Sequence, residues 1–240
     1  MARDLPPDGF TFTHTPAVDF LNVPSSTFLS ARPLVRGAAT GALVFSRAPV
    51  TTSSSSSAAA TDSNASTGTG TNQPPSEPQD RILIVQRAPH DSMPLRWEVP
   101  GGACDPEDPT MLHGLARELW EEAGLKLRRV VRPVGDEHVF LTRRGRAVAK
   151  VTCEVEVETV RSEGGDEALP EVVLDPNEHV RFVWATEEEC RKGRAVAVVV
   201  DAGEGEGEGE RTEEVEIQFT TQAQREVVLQ GFELRKKREP

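Results

Sequence analysis

Three carboxylates at short spacing are the clearest sign of chemistry in this chain. Glu118, Glu121 and Glu122 stand within five consecutive residues, and Glu118 lies three and four positions before the other two. Because residues three and four apart share one face of a helix, all three side chains point in one direction. Like charges on one patch destabilise a helix, and hard divalent cations such as Mg²⁺ or Mn²⁺ prefer carboxylate oxygens. The spacing therefore predicts a metal site formed by these three residues.

Apolar residues at helical period predict the helix that carries these acids. Asp108, followed directly by a proline, is the predicted cap at the helix start, and Gly124 can turn left-handed at its end. Arg117 precedes Glu121 by four residues, so it can pair with that carboxylate and fix its position. The predicted buried stripe consists of Leu112, Leu115, Leu119 and Ala123.

A glycine-rich loop, Pro100-Gly101-Gly102, precedes this helix. Glycine has no Cβ, so the backbone of such a loop can come close to a ligand. We therefore expect a backbone carbonyl of the loop, with Gly101 as the candidate, to be a further metal ligand.

The stretch from Trp97 to Leu125 resembles the signature of the Nudix hydrolase family, G-x5-E-x7-R-E-U-x-E-E-x-G-U, in which U is an aliphatic residue. The second half of the signature matches at every fixed position, namely Arg117, Glu118, Leu119, Glu121, Glu122, Gly124 and Leu125.

The first half of the signature departs from the family pattern. One extra residue separates Gly102 from Arg117, and Pro109 stands where the family has a glutamate. Asp108 or Glu107 is the candidate for that role in a slightly longer loop. In the family this glutamate supports the loop and helix more than it binds metal, so the departure concerns loop geometry.

The resemblance implies a metal-dependent hydrolase that cleaves a pyrophosphate bond in a nucleoside diphosphate linked to another moiety, with Mg²⁺ (or Mn²⁺) as cofactor. It implies a general base at Glu121 or at Glu178, and Glu178 can instead bind a further metal. It also implies that Arg87 reaches toward substrate phosphate, whereas the plain alternative is a strand-end arginine in solvent. Arg117 completes the predicted catalytic set.

A different class of function also fits the resemblance, namely a catalytically weak Nudix-like binding or regulatory module. Its partner contacts would then lie in low-complexity segments. The complete set of three helix acids favours the enzyme.

Hydrophobic patterning predicts an α/β fold. The resemblance narrows this prediction to the Nudix-type α/β/α sandwich with a mixed sheet. Residues 219–238 are predicted to form a C-terminal helix capped by Thr220 or Thr221. Strands are predicted at residues 37–47, 81–87, 127–134, 137–142, 147–160 and 180–186.

Two low-complexity stretches are predicted as flexible insertions within one domain. Residues 49–80 are almost all Ser, Thr, Ala, Gly, Pro and Asn, and residues 201–214 contain alternating Gly and Glu. Such compositions bury too little apolar surface to offset chain entropy. We therefore predict an N-terminal arm at 1–35 and a Nudix hydrolase domain at 36–240. Either the arm docks on the domain or it forms a loosely ordered tail. The apolar residues that can dock the arm include Phe10, Phe12, Phe20, Leu21, Phe28 and Leu29.

Composition and charge exclude several classes of partner. The net charge of −12 argues against general nucleic-acid or anionic-membrane binding through a basic surface. A bound cation can still reverse the local field for a small nucleotide substrate. No secretory signal or transmembrane run is present, so we expect a cytoplasmic protein, with the nucleus still open. The sequence does not determine the oligomeric state. The cysteines, predicted to be free thiols, are Cys104, Cys153 and Cys190.

Overall fold

The computed structural model describes residues 6, 9–47, 79–159, 169–200 and 210–237. Within these ranges the strands are β1 Thr13–His14, β2 Gly37–Ser46, β3 Arg81–Arg87, β4 Trp97–Glu98, β5 Leu127–Pro133, β6 His138–Leu141, β7 Ala147–Val157, β8 His179–Thr186, β9 Arg194–Val200 and β10 Glu210–Glu216. The α-helices are α1 Ser25–Ser30, α2 Met111–Ala123, α3 Glu187–Lys192 and α4 Gln222–Lys236, and a 3₁₀ helix spans Pro16–Leu21.

The main sheet is mixed, as predicted. Its strand order is β1-β5-β7-β2-β3-β4, with β6 paired to β7 and β8 paired to β3. Strands β2 and β7 run parallel over eight residue pairs, whereas β3 and β8 run antiparallel. Strand β3 pairs with β8 along its whole length, whereas on its other edge it pairs with β2 at Arg81 and Ile82 and with β4 at Val85 and Gln86. The end of β3 near Arg87 therefore lies between β4 and the start of β8, and both of these segments contribute residues to the site.

Two apolar cores cover the two faces of this sheet. Successive strand residues point to opposite faces, so Leu83 packs in the core beneath α2, whereas Ile82 and Ile84 pack in the core beneath α4. The stripe predicted on α2 is fully buried in the first core. This arrangement of helices on both faces of a mixed sheet confirms the predicted α/β/α sandwich. No helix in the described ranges is long and apolar enough to cross a bilayer.

The N-terminal arm docks on the domain. Strand β1 pairs in parallel with β5, and Val18, Leu21 and Phe28 are buried in the core beneath α2. Phe20, in contrast, is 47% exposed. From residue 9 onward the described part of the arm is thus packed against the domain that was predicted to begin at 36.

Two local predictions need correction. The cap of α2 is Thr110, whose side chain accepts a hydrogen bond from the His113 backbone N–H, because the Asp108 carboxylate is engaged by other donors. Residues 210–214, predicted to be part of a flexible insertion, lie in β10, which pairs with β9 in a hairpin that the sequence analysis missed. Residues 48–78, which hold most of the first predicted insertion, lie outside the described residues, as do 201–209.

Candidate active site

The glycine loop before α2 lies against β2. The Thr40 N–H donates to the Gly102 carbonyl at 2.9 Å, and the Ala42 N–H donates to the Pro100 carbonyl at 2.8 Å. Gly101 has a φ of +138°, and a Cβ there would lie 2.4 Å from the Thr40 carbonyl oxygen. A Cβ at Gly102 would lie 2.5 Å from a Glu118 carboxylate oxygen. Gly101 is therefore required for the backbone to pass close to β2, and a side chain at Gly102 would displace the Glu118 carboxylate.

Arg117 connects this loop to the helix. Its guanidinium donates to Asp108 through Nε at 3.1 Å and through a terminal nitrogen at 3.0 Å, and it also donates to the Ala103 carbonyl at 2.8 Å. On the helix itself it donates to Glu118 at 2.9 Å and to Glu121 at 2.8 Å. The pairing with Glu121 predicted from the spacing is present. Asp108, one of the two candidates for the missing family glutamate, is the residue that supports the loop.

Glu122 is the most deeply buried acid of the helix, with 5% of its surface exposed. One of its carboxylate oxygens accepts a hydrogen bond from the Gly101 N–H at 2.6 Å. Burial, followed by the negative charges of Glu98 and Glu118, raises the pKa of Glu122 well above its ordinary value. Burial likewise raises the pKa of Glu118 to about 7, despite the nearby Arg117 guanidinium. Ionising both acids in this site costs free energy that a cation would remove.

A cluster of possible ligand atoms joins α2 to the start of β8. One carboxylate oxygen from Glu122, one from Glu178 and one imidazole nitrogen from His179 all lie within 4.8 Å of one another. The Glu178 carbonyl accepts from the Ala88 N–H at 2.8 Å, which ties this segment to the end of β3. The β3–β8 register shifts between Gln86 and Arg87, next to the cluster. Such bulges often re-aim side chains at functional sites.

Behind this cluster lies a buried ionic network. His179 Nε2 is 3.4 Å from a Glu98 carboxylate oxygen, and the same oxygen pairs with Arg87. Burial opposes ionisation of Glu98, but the hydrogen bond from His179 and the charges of Lys150 and Arg87 outweigh it and lower the pKa. Arg87 is also paired with Asp91 at 2.6 Å. Glu98 therefore carries a negative charge next to the ring of His179.

The structure brings together some of the predicted site residues and separates others. Glu122 and Glu178 meet, although they are far apart in sequence. Glu118 and Glu121 lie on the same helix but are engaged by Arg117. The Gly101 N–H donates a hydrogen bond to Glu122. That the Gly101 carbonyl binds a metal ion stays a prediction. Contrary to the plain alternative of a solvated arginine, Arg87 is paired with two acids.

The sequence analysis missed Glu98 and left His179 without a role. A usable signal existed for Glu98, since it is a lone charged residue in the buried strand β4. His179 directly follows Glu178, but no spacing rule indicates that it faces Glu98 across the end of β3.

A cavity of about 310 Å³ begins at the glycine loop. Its walls include Arg87 and Glu98 beside the ionic network, the ring of Phe140 from β6, and Gln224 from α4. Cavities of this size hold small ligands. The cavity thus lies where the remainder of a molecule bound at the acids would extend.

The residues present fit a divalent cation. Two carboxylate oxygens and an imidazole nitrogen converge at one place, and His179 Nδ1 is buried without a hydrogen-bond partner among the described residues. Buried polar atoms rarely stay unpaired, so this nitrogen is a suitable donor to an ion. Carboxylate and imidazole together are common ligands of Mg²⁺, Mn²⁺ and related ions.

Comparison with known proteins gives a family match. The family model of the NUDIX domain matches residues 74–201. No match to a curated protein was found.

Solved structures with a similar fold include three from different organisms. A MutT protein from Methanosarcina mazei Go1 is 19% identical, with a TM-score of 0.38 over 65% of this chain and 80% of that chain. An Ap4A hydrolase from C. elegans is 15% identical, with a TM-score of 0.41 over 65% and 85%. An ADP-ribose pyrophosphatase from Streptococcus suis 89-1591 is 16% identical, with a TM-score of 0.39 over 85% and 94%. At such values these structures carry no argument about substrate.

Proposed function

Since this chain belongs to the Nudix family of pyrophosphohydrolases, we propose that it hydrolyses the pyrophosphate bond of a nucleoside diphosphate linked to another moiety, with Mg²⁺ or Mn²⁺ as cofactor. The observation that carries the proposal is the convergence of Glu122 and Glu178 next to the glycine loop and the cavity. A scaffold without catalysis has no need for a carboxylate such as Glu122, which is buried beside other acids at a cost in free energy.

The ion would be bound by Glu122 and Glu178, with Glu118 and Glu121 beside them on α2 and the Gly101 carbonyl as a further candidate. A bound ion would screen the charge of the diphosphate and lower the pKa of a bound water. The raised pKa values of Glu118 and Glu122 support this assignment, because an ion would stabilise both carboxylates in their charged form.

Glu178 is the better candidate for the general base. It is exposed, so water can reach it, and a carboxylate that offers one oxygen to an ion keeps the second oxygen for a proton. Glu121, the other candidate, accepts a hydrogen bond from Arg117 at 2.8 Å. Arg117 acts as a positioning residue that fixes α2 against the loop.

The cavity is where the nucleoside part of the substrate would lie. Its wall includes the rings of His138 and Phe140, which suit a planar group, and Gly101 and Gly102 line the cavity next to the acids. Arg87 lines the same cavity, and its contact with a substrate phosphate is part of the proposal.

A nucleotide panel tests the function. Purified full-length protein is assayed for release of phosphate or nucleoside monophosphate from dinucleoside polyphosphates, nucleotide sugars, ADP-ribose and nucleoside triphosphates, with Mg²⁺, Mn²⁺ or EDTA. We expect release from at least one diphosphate-linked nucleotide, abolished by EDTA. If metal-loaded protein binds these nucleotides without cleaving any of them, the binding or regulatory module is the correct function.

The role of Glu178 is tested by Glu178→Gln, with the exposed Glu171→Gln of the preceding loop as the control. Loss of a general base lowers the rate by about 10²–10⁴-fold, and excess Mn²⁺ should not restore it. The acid limb of the pH–rate profile should flatten as well. Full recovery in excess Mn²⁺ would show that Glu178 is only a ligand, and Glu121 would become the base.

A further inference from the structure

His179 is a buried histidine whose two ring nitrogens have different surroundings. Only 2% of the residue is exposed, at the first position of β8. Nε2 faces a Glu98 carboxylate oxygen at 3.4 Å, whereas Nδ1 has no hydrogen-bond partner among the described residues. Because the Glu98 carboxylate accepts a hydrogen bond from Nε2–H, the ring takes the tautomer in which Nδ1 carries a free lone pair. A free lone pair in a buried site can bind a metal ion.

The ring of His179 lies close to the acids of the site. A nitrogen of His179 lies within 4.8 Å of oxygens from both Glu122 and Glu178. Nε2 is already engaged by Glu98, so Nδ1 is the nitrogen that is available to an ion. Glu178 and His179 are adjacent in sequence, yet Glu178 is exposed and His179 is buried.

Glu98 and Arg87 orient the ring from behind. Histidines that bind metals usually donate their second N–H to a carboxylate, which fixes the ring and increases its basicity. Here Glu98 supplies that carboxylate, and Arg87 and Asp91 continue the network outward. This network gives Arg87 a structural task that is independent of substrate phosphate.

We propose that His179 Nδ1 is a metal ligand alongside Glu122 and Glu178, and that this nitrogen makes the site select a first-row transition ion over Mg²⁺. The inference rests on the proposed function, since it concerns the ion of the same site. Carboxylate and water suit Mg²⁺, whereas imidazole favours transition ions such as Mn²⁺, Fe²⁺, Co²⁺ and Zn²⁺. Replacing one oxygen ligand by nitrogen therefore penalises Mg²⁺ more than Mn²⁺.

Pulsed electron paramagnetic resonance of bound Mn²⁺ reports this bond directly. The full-length protein is stripped with EDTA, loaded with one equivalent of Mn²⁺, and examined for coupling of the electron spin to ¹⁴N. We expect imidazole coupling in the wild-type protein, which changes to ¹⁵N coupling when the histidines are isotopically labelled. This measurement needs no variant, so it stands even where substitution of a buried residue impairs folding.

Variants then identify the histidine. His179→Asn should remove the nitrogen coupling and lower the ratio of Mn²⁺ to Mg²⁺ affinity by at least about tenfold. His90→Asn, at an exposed turn position, is the matched control and should change neither quantity. Affinities are measured by Mn²⁺ titration and by displacement with Mg²⁺.

Bound Mn²⁺ without histidine nitrogen coupling would overturn the inference and leave metal-dependent hydrolysis intact. Coupling that persists in a folded His179→Asn protein would also overturn it, since another histidine would then be the ligand. If the wild-type protein binds neither ion at millimolar concentration, the metal-dependent function itself fails.

Discussion

Two networks of arginine and carboxylate in this domain have opposite electrostatics. The Arg117 cluster at the site contains one arginine that pairs with Asp108, Glu118 and Glu121. The Glu154 cluster, on the side of the sheet where β7 meets α4, contains Glu154 between Arg132 and Arg235, and Asp80 between Arg235 and Arg47. Acids outnumber arginines in the first cluster, and arginines outnumber acids in the second.

The pKa directions follow this difference. In the Glu154 cluster, burial opposes ionisation of Asp80, but the hydrogen bonds and charges of Arg235 and Arg47 outweigh it and lower its pKa. In the Arg117 cluster, burial outweighs the single arginine and raises the pKa of Glu118 to about 7. The second network therefore stabilises the fold by itself, whereas the first is complete only with an added positive charge.

The largest expected effect is that of Glu122→Gln. Loss of this ligand should lower turnover by about 10³-fold or more, because charge stabilisation by a bound ion is worth several kcal/mol. The same change should leave the metal-free melting temperature equal or higher, since glutamine can still accept from the Gly101 N–H without a buried charge. Turnover and thermal melting in EDTA measure the two effects.

The exposed Glu188→Gln is the control for Glu122→Gln, and it should change neither quantity. If Glu122→Gln lowers the melting temperature in EDTA by several degrees, the charge of Glu122 stabilises the metal-free protein. The contrast between the two clusters would then be wrong.

The next largest effect is expected in the Glu154 cluster. Glu154 is 2% exposed, and Glu154→Gln leaves Arg132 and Arg235 without their shared acid. Removing one partner of a buried pair typically costs about 3–5 kcal/mol, so the free energy of unfolding in urea should fall by about 3 kcal/mol. Turnover per folded molecule should stay the same.

Glu156→Gln supplies the matched control on the same strand. Its pair with Arg128 is exposed, and such pairs contribute about 0–1 kcal/mol. Equal losses for the two variants would show that burial does not distinguish them, and that the Glu154 cluster is not a source of stability.

The smallest expected effect is a pair of opposite pH dependences in metal-free protein. The folded-state pKa of Glu118, about 7, lies above its ordinary 4.5, so its contribution to stability is fully present below about 4.5 and is lost as pH rises through about 7. As pH rises from 5 to 8, the free energy of unfolding in urea should therefore increase for Glu118→Gln relative to the wild-type protein.

The stability contribution of Asp80 should have the opposite pH dependence. Its folded-state pKa lies below the ordinary 3.8, so its contribution is fully present above that value and is lost as pH falls through the lowered pKa. Asp80→Asn should be less stable than wild type at pH 7, and the difference should shrink in acid. If both variants show the same pH slope, the assignment of opposite electrostatics fails.

The sequence by itself determined α2, most strands of the main sheet and the helix acids. Helical spacing predicts α2 with its buried stripe, and the end of α2 at Gly124, with a φ of 68°, is confirmed. Strand patterns predict β2, β3, β5, β6, β7 and β8, because alternation and apolar runs are local properties. The match to the family signature predicted the α/β/α sandwich.

Local competition explains the errors in predicted boundaries. Asp108 looks like a helix cap, but its carboxylate binds Arg117, and Thr110 takes the capping position instead. Residues 210–214 follow the alternating Gly and Glu, yet pairing with β9 makes a strand of them. In each case a partner distant along the chain outweighs the local preference.

The tertiary structure alone decided which residues form the site. Glu98 and His179 are 81 residues apart, and they meet because β4 and β8 pair with opposite edges of β3 near its end. Glu122 reaches the same place because the glycine loop fixes α2 against β2. Local spacing along the chain encodes which face of a helix or strand is apolar. It does not encode that β4 and β8 lie on the two edges of β3. The acids of α2 could therefore be found in the sequence, whereas the histidine and the buried acid that complete their surroundings could not.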